Sequence, residues 1–178
     1  RAVTPDMLAI ADARHPVAVA GVMGGSGSEI RAETQTVLLE SAYFRPQMIR
    51  ATSKKLGLVT ESSYRFERGI DIERVEWCGR RAAALMAEHA GATVCRGVID
   101  RYPVKPATRR VSCRFDRVRA LVGLDVHADE IRKVFTSLLL PVVGDRDTAC
   151  EVEVPSFRVD IEREVDLIEE FARIYGLH

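Results

Sequence analysis

Tyr102-Pro103-Val104-Lys105-Pro106-Ala107-Thr108 decides how the rest of the chain is read. Two prolines three residues apart lock their own φ, remove two backbone donors and bias the preceding residues away from helix, so the stretch reads as an extended connector. Formal charge changes sign across it: residues 1–105 carry 15 basic and 12 acidic groups, whereas residues 106–178 carry 11 and 14. The reading is two small domains, residues 1–102 and 109–178, joined by a linker over residues 103–108. No repeat or low-complexity tract interrupts either half.

Composition narrows the class. Lys+Arg and Asp+Glu both number 26, so bulk charge gives no argument for nucleic-acid binding, although local patches stay open. Uncharged apolar runs such as Leu138–Val143 fall far short of the roughly 18 residues a membrane span needs. No basic stretch followed by an apolar one opens the chain, so no secretory signal is expected. Arg1 stands first instead of Met, so the chain is expected to begin partway through a larger protein. Cys78, Cys95, Cys113 and Cys150 form no C-x-x-C pair and no zinc spacing, and read as reduced thiols of a cytoplasmic protein.

Toward the N-terminus, Pro16–Ala20 reads as a short buried strand running into a Gly-rich turn, Gly21–Ser28, where small residues let a strand or a ligand approach the backbone. The turn lacks the Lys-Ser/Thr ending of a phosphate loop. Thr36–Glu40 reads as an apolar strand ending on a carboxylate; such a charge is often only where a strand meets solvent. Ser53–Gly57 resembles a helix end, with cations in the last turn and glycine at the cap. Leu58–Asp71 is too rich in hydroxyls and mixed charge for a core strand and reads as a solvated loop crossed by ion pairs. Asp71 is expected to cap a helix whose apolar face carries Cys78, Ala82, Leu85 and His89 and which ends at Gly91.

Toward the C-terminus, Val111, Cys113 and Phe115 alternate with Arg110, Ser112 and Arg114, a strand showing its basic side outward. That strip suits RNA phosphates, but a plain solvated face is the better reading of it. Asp116 is read as the cap of a short helix ending at Gly123. Ile131, Val134, Phe135 and Leu138 give an amphipathic helix, and Glu151–Pro155 a strand stopped by proline. A last helix, capped by Asp160, is read with a buried stripe of Ile161, Val165, Ile168, Ala172 and Tyr175. Asp166, Glu169 and Glu170 span about 100° of another side. Acids early in a helix suit its dipole, but close like charges need a cation or basic partner, and oxygen-only ligands favour magnesium over zinc.

Four segments together carry a resemblance: Gly24-Gly25, Val37-Leu-Leu-Glu-Ser-Ala-Tyr-Phe44, Lys54-Lys-Leu-Gly-Leu58 and Thr60-Glu-Ser-Ser-Tyr-Arg-Phe-Glu-Arg-Gly-Ile-Asp71. In order and spacing they resemble the editing module of bacterial phenylalanyl-tRNA synthetase beta subunits. Val154-Pro-Ser-Phe-Arg-Val-Asp160 with Glu164–Gly176 resembles the fifth domain of the same subunits. The fold this implies is α+β: a partial, mixed α/β editing module followed by a small three-helix, winged-helix-like domain with short strands.

The activity implied is hydrolysis of tRNA-Phe mischarged with tyrosine, within a parent that joins phenylalanine to tRNA-Phe using ATP. A pocket made for phenylalanine rejects an added hydroxyl only weakly, by around a hundredfold. A second pocket that hydrogen-bonds the hydroxyl sorts in the opposite sense. By match to the family pattern Glu40 reads the phenol, Gly25 leaves room for the ring, and Thr60 and Ser62 line the site near the ester. Ser62 stands where many relatives have Ala. The editing histidine of the family lies upstream, and His15 is too close to the Gly-Gly turn to replace it, so no complete catalytic set is expected here. The magnesium positions match Asp160, Asp166, Glu169 and Glu170, the ion being shared with an alpha subunit. ATP would belong to that subunit as well. Implied partners are the alpha subunit and tRNA-Phe in an alpha2-beta2 parent, with no membrane. Two readings from other classes remain: a non-enzymatic RNA- or protein-binding module, and a scaffold for a partner subunit built on the last helix.

Overall fold

The computed structural model describes residues 2–176, whose contacts gather into two units dividing between Gly97 and Val98. Residues 91–108, which include the proline pair, hold neither helix nor strand.

In the first unit, β1 (Ala9–Ala11), β2 (Pro16–Val19) and β3 (Met23–Gly24) form an antiparallel sheet in that order. Asp12 closes the first turn by accepting from the backbone N–H groups of Arg14 and His15, both at 2.7 Å. Ala20, Val22 and Met7 face Ile49 and Leu56 in the small core. The last two belong to helix α1 (Pro46–Leu56), which starts on proline and ends at Gly57 with φ +58°, Lys54 and Lys55 filling its last turn as expected. Thr60 caps α2 (Glu61–Phe66), and Val75–Ala90 form α3, ended by Gly91 at φ +62°.

Two expectations for this unit are corrected. Thr36–Glu40 is not a strand: a strand exists through its ladder, and no described strand runs beside these residues, leaving Leu38 94% exposed. The Leu58–Asp71 segment does carry ion pairs, Arg65–Glu61 and Arg68–Glu67, but its middle is helical. The capping box of Thr60 and Ser63 nucleates that turn: Ser63 N–H donates to Thr60 Oγ1 at 3.0 Å and Thr60 N–H to Ser63 Oγ at 2.9 Å. Asp71 caps a 3-10 turn, Ile72–Arg74, ahead of α3, and Cys78 and His89 of the expected apolar face are exposed.

The second unit has the α+β layout of three helices on a three-stranded antiparallel sheet. Strands β4 (Arg109–Arg114), β5 (Val142–Asp145) and β6 (Ala149–Val154) lie in the order β4-β6-β5. Helices α4 (Phe115–Val122), α5 (Ala128–Ser137) and α6 (Glu164–Tyr175) cover one face. Val111 pairs with Val152 and Cys113 with Cys150, and these inward residues meet Phe115, Val118, Ile131, Phe135, Leu167 and Phe171 in one core. The amphipathic helix and the alternating strands lie where the sequence puts them.

The last helix differs in phase. Its buried side is Leu167, Ile168 and Phe171, while Val165 and Tyr175 are largely exposed. The bulkiest apolar pair, Leu167 and Phe171 at i, i+4, wins the core. Asp160 does not cap; Asp166 closes the start of the helix by accepting from the N–H groups of Arg163 (2.7 Å) and Glu162 (2.9 Å). Asp116 likewise sits inside the first turn of α4, after Arg114.

The arginines of β4 are answered within the unit. Glu164 takes the Arg114 N–H (2.9 Å) and guanidinium (2.7 Å) and also Arg117 (3.2 Å), tying the end of β4 to the start of α6. Arg109 donates to the Ile161 carbonyl at 2.8 Å, and Arg110 reaches Glu153 at 3.3 Å.

Two outcomes follow from burial and pairing. Burial pushes the Cys113 thiol up to about 12 and the Cys150 thiol to about 11, so alkylation at pH 8 should modify Cys78 and Cys95 only, the other two reacting after denaturation. Arginine hydrogen bonds hold Glu164, Asp160 and Glu170 below the usual carboxylate range, and backbone N–H groups do the same for Asp166. Depressed folded values stabilise above the unfolded ones, near 3.8 and 4.5, and the gain disappears as pH falls through the folded values. Melting temperature should therefore drop with acid below about pH 4.5, and Glu170→Gln should flatten that drop.

Candidate functional site

A cavity of about 610 Å³ opens in the first unit between the β1–β3 sheet, the extended residues 40–44, α2 and the start of α3. Ile10, Val19, Met23, Phe44, Phe66 and Ile70 make its walls apolar. Its floor depends on Gly21, at φ +64°: a Cβ there would lie 2.9 Å from the Phe44 ring, 3.0 Å from Ile49 and 3.3 Å from Phe66. With hydrogen in that place, Phe44 and Phe66 meet edge to face at 5.0 Å.

The turn at Gly21 is tied to α2 by hydroxyls. Ser62 Oγ donates to the Gly21 carbonyl at 3.1 Å, and Thr60 Oγ1 to the Val22 carbonyl at 2.7 Å. Thr60 is thus committed twice, as helix cap and as strap, and it does not line the cavity; Ser62 does. Gly25 lies off the cavity too. Its N–H donates to Val17 O at 2.8 Å, and a Cβ would come within 2.7 Å of that oxygen, so its smallness serves strand pairing. Gly24, its neighbour, lines the cavity with open space where a Cβ would stand.

Glu40 is the polar group that distinguishes this cavity. The residue is exposed as a whole, yet it stands on the cavity lining, and the water lost there pushes its pKa up. It makes no hydrogen bond or ion pair with the described residues. Asp71 and Arg74, 3.9 Å apart, and the Cys78 thiol lie on the same lining. An apolar chamber with one unpartnered carboxylate suits a flat ring bearing an O–H or N–H donor. No histidine lines it among the described residues. Of the positions assigned from sequence, Glu40 and Ser62 line the cavity; Gly21, Gly24, Ser41 and Arg74 line it without having been assigned, the Gly-rich turn being the available signal for the first two.

The acids of α6 are arranged differently. Arg158 grips Asp160 with two hydrogen bonds, 3.0 and 2.6 Å, and reaches Glu170 at 2.9 Å; Arg173 adds 2.8 Å to Glu170. Asp166 is committed to backbone N–H groups, and Glu169 is exposed without a partner among the described residues. Four carboxylates are the right donor chemistry for magnesium. Their arrangement is wrong for it: no three potential ligands converge among the described residues, and guanidinium groups hold two of the four. A resident magnesium ion does not fit this chain by itself.

Comparison with known proteins accounts for both units. Residues 1–91 match the family model described as the B3/4 domain, and residues 111–177 match the tRNA synthetase B5 domain. A protein of Geobacter sulfurreducens named phenylalanine--tRNA ligase beta subunit is 50% identical over 176 residues, covering 99% of this chain and 22% of its own. The proteins of the same name from Salinibacter ruber and Porphyromonas gingivalis are 47% and 42% identical, over 96% and 99% of this chain and 20% and 22% of theirs. The chain spans about a fifth of the length of these relatives. It belongs to the B3/4 domain family, and a tRNA synthetase B5 domain follows in the same chain.

Proposed function

We propose that this chain works within a phenylalanine--tRNA ligase beta subunit and that its first unit contributes to hydrolysis of tyrosine mischarged onto tRNA-Phe. The observation that carries this reading is Glu40, a carboxylate without a partner among the described residues, on the lining of an apolar cavity with ample room for an aromatic ring. A phenol entering the cavity satisfies that acceptor; a phenyl ring leaves it desolvated and unpaired. Discrimination by an unpaired buried group is large, because the wrong ligand pays for water removed and nothing gained.

The residues of this chain bind and sort; they do not form a hydrolytic set. Ser62 has its hydroxyl proton directed to Gly21 O, and no base lies beside it among the described residues. Attack of water on the ester carbonyl, with release of the tRNA 3′ oxygen and free tyrosine, needs a base from elsewhere in the enzyme. Attachment of phenylalanine with ATP belongs to the alpha subunit of an alpha2-beta2 assembly in this reading. The exposed side of α6, where Val165 and Glu169 stand one turn apart, is the surface of this unit that meets alpha. Magnesium, if held there, has to be held jointly. The alternative of a free-standing RNA-binding module gains little support from β4, whose arginines already face carboxylates.

In the ligase assembled with this sequence, Glu40→Gln should cut deacylation of Tyr-tRNA-Phe relative to Phe-tRNA-Phe by about ten- to a hundredfold, without lowering the melting temperature. An unchanged ratio would remove Glu40 from the reading. The chain alone should show no deacylation above buffer. Calorimetric titration of the chain with MgCl2 should show no saturable site tighter than about 1 mM; a tighter site abolished by Asp160→Asn would mean the arginines yield to the ion.

A further inference from the structure

Glu40 sits on a stretch without secondary structure, residues 29–45, which has no ladder to hold it. Something else must fix a carboxylate that is to discriminate by one hydroxyl. Its neighbour Ser41 supplies two contacts with α3. Ser41 Oγ donates to the Val75 carbonyl at 2.7 Å, in the first turn of that helix. One turn further on stands Gly79, where an added Cβ would lie 3.1 Å from Ser41 Cβ and 3.5 Å from its Oγ. That distance is below ordinary van der Waals contact, so the glycine is the notch that admits Ser41. Glycine inside a helix costs about 1 kcal/mol relative to alanine, and nothing else around Gly79 needs one. Val75, Ser41 and Cys78 line the same cavity as Glu40.

We propose that Ser41 and Gly79 are positioning residues that clamp the irregular segment onto α3 and so hold the Glu40 carboxyl at the cavity. The hydroxyl fixes the height of the segment on the helix, and the notch fixes its depth. Resting on the tyrosine-sorting reading, this names what sets the specificity of that site. Gly79 does not line the cavity, and the Ser41 hydroxyl is committed to α3.

The clamp is testable on the chain itself, apart from any view of the substrate. Carbon-13 labelling of glutamate side chains reports the protonation of Glu40 by NMR, with Glu40→Gln assigning the signal. Asp71, Arg74 and Cys78 share the lining and remain in every variant. In the parent chain Glu40 should titrate above the ordinary glutamate range. Ser41→Ala and Gly79→Val should each return it toward that range, because a released segment lets the carboxyl reach water, while the melting temperature and the signals of the second unit stay in place. Ser41→Thr, which keeps the hydroxyl, should retain most of the elevation. Titration unchanged in both Ser41→Ala and Gly79→Val overturns the clamp.

Deacylation in the assembled ligase then separates the clamp from the reading it rests on. With the clamp correct, Ser41→Ala and Gly79→Val should lower the Tyr-over-Phe ratio by about tenfold, chiefly through a higher KM for Tyr-tRNA-Phe. If NMR shows Glu40 released while the ratio is unchanged in these variants and in Glu40→Gln, the tyrosine reading fails and the clamp stands. If Glu40→Gln lowers the ratio and the two clamp variants do not, the clamp has no part in specificity.

Discussion

The hydrogen bonds from Ser62 and Thr60 to the carbonyls of Gly21 and Val22 are the constraint on which the first unit depends. They join the β2–β3 turn of a minimal sheet to the start of α2. Without them β2 and β3 would be a hairpin of a few residues, and isolated hairpins of that size are marginal in water. The same turn needs Gly21 at positive φ, which lets Phe44 and Phe66 close over it. One short segment therefore sets strand register, helix entry and the cavity floor together. A hydroxyl read as lining the site from sequence turns out to be part of what builds it.

The second unit is held by a different economy. Its core is continuous, from Val111 and Val152 on the sheet to Leu167 and Phe171 on α6, and apolar burial of this kind supplies most of the stability. Charge then fixes details of approach. Glu164 joins β4 to α6, and Arg158, braced by Asp160 in its own loop, joins the loop after β6 to the same helix through Glu170. Exposed pairs contribute little, but Glu170 is buried between a half-buried Arg158 and an exposed Arg173, and removing Arg158 costs a buried carboxylate the better shielded of its two partners. The acidity of residues 160–170, conspicuous in the sequence, is in the fold largely neutralised from within.

Periodicity was legible where one element makes its own pattern. Ile131 and Phe135, Val111 and Cys113, and the Gly57, Gly91 and Gly123 stops are local facts, and the fold kept them. It was not legible where the outcome depends on a partner. Thr36–Glu40 has strand composition but no strand to pair with, so propensity alone left it extended and unladdered. The phase of α6 was misread because Val165 and Tyr175 fit a stripe as well as Leu167 and Phe171 do; only packing against β4 and α5 decides between them. Thr60 and Ser63 did spell a capping box, three residues apart, yet the charges around them pointed to a loop.

An unpartnered carboxylate on an irregular segment looks like poor engineering for a selective site, and the energetics say otherwise. A tenfold preference is 1.4 kcal/mol, within the range of one hydrogen bond to a charged group. If Glu40 had a protein partner, a phenol would have to displace it, and the difference between phenol and phenyl would shrink by the strength of that bond. Leaving the carboxyl without a partner and partly dry keeps the whole difference for the ligand, at the expense of some stability in the empty state. Such a group has to be fixed in place without being given a donor of its own. It needs a segment held from one side only, and contacts at Ser41 with Val75 and Gly79 leave the cavity side of Glu40 open.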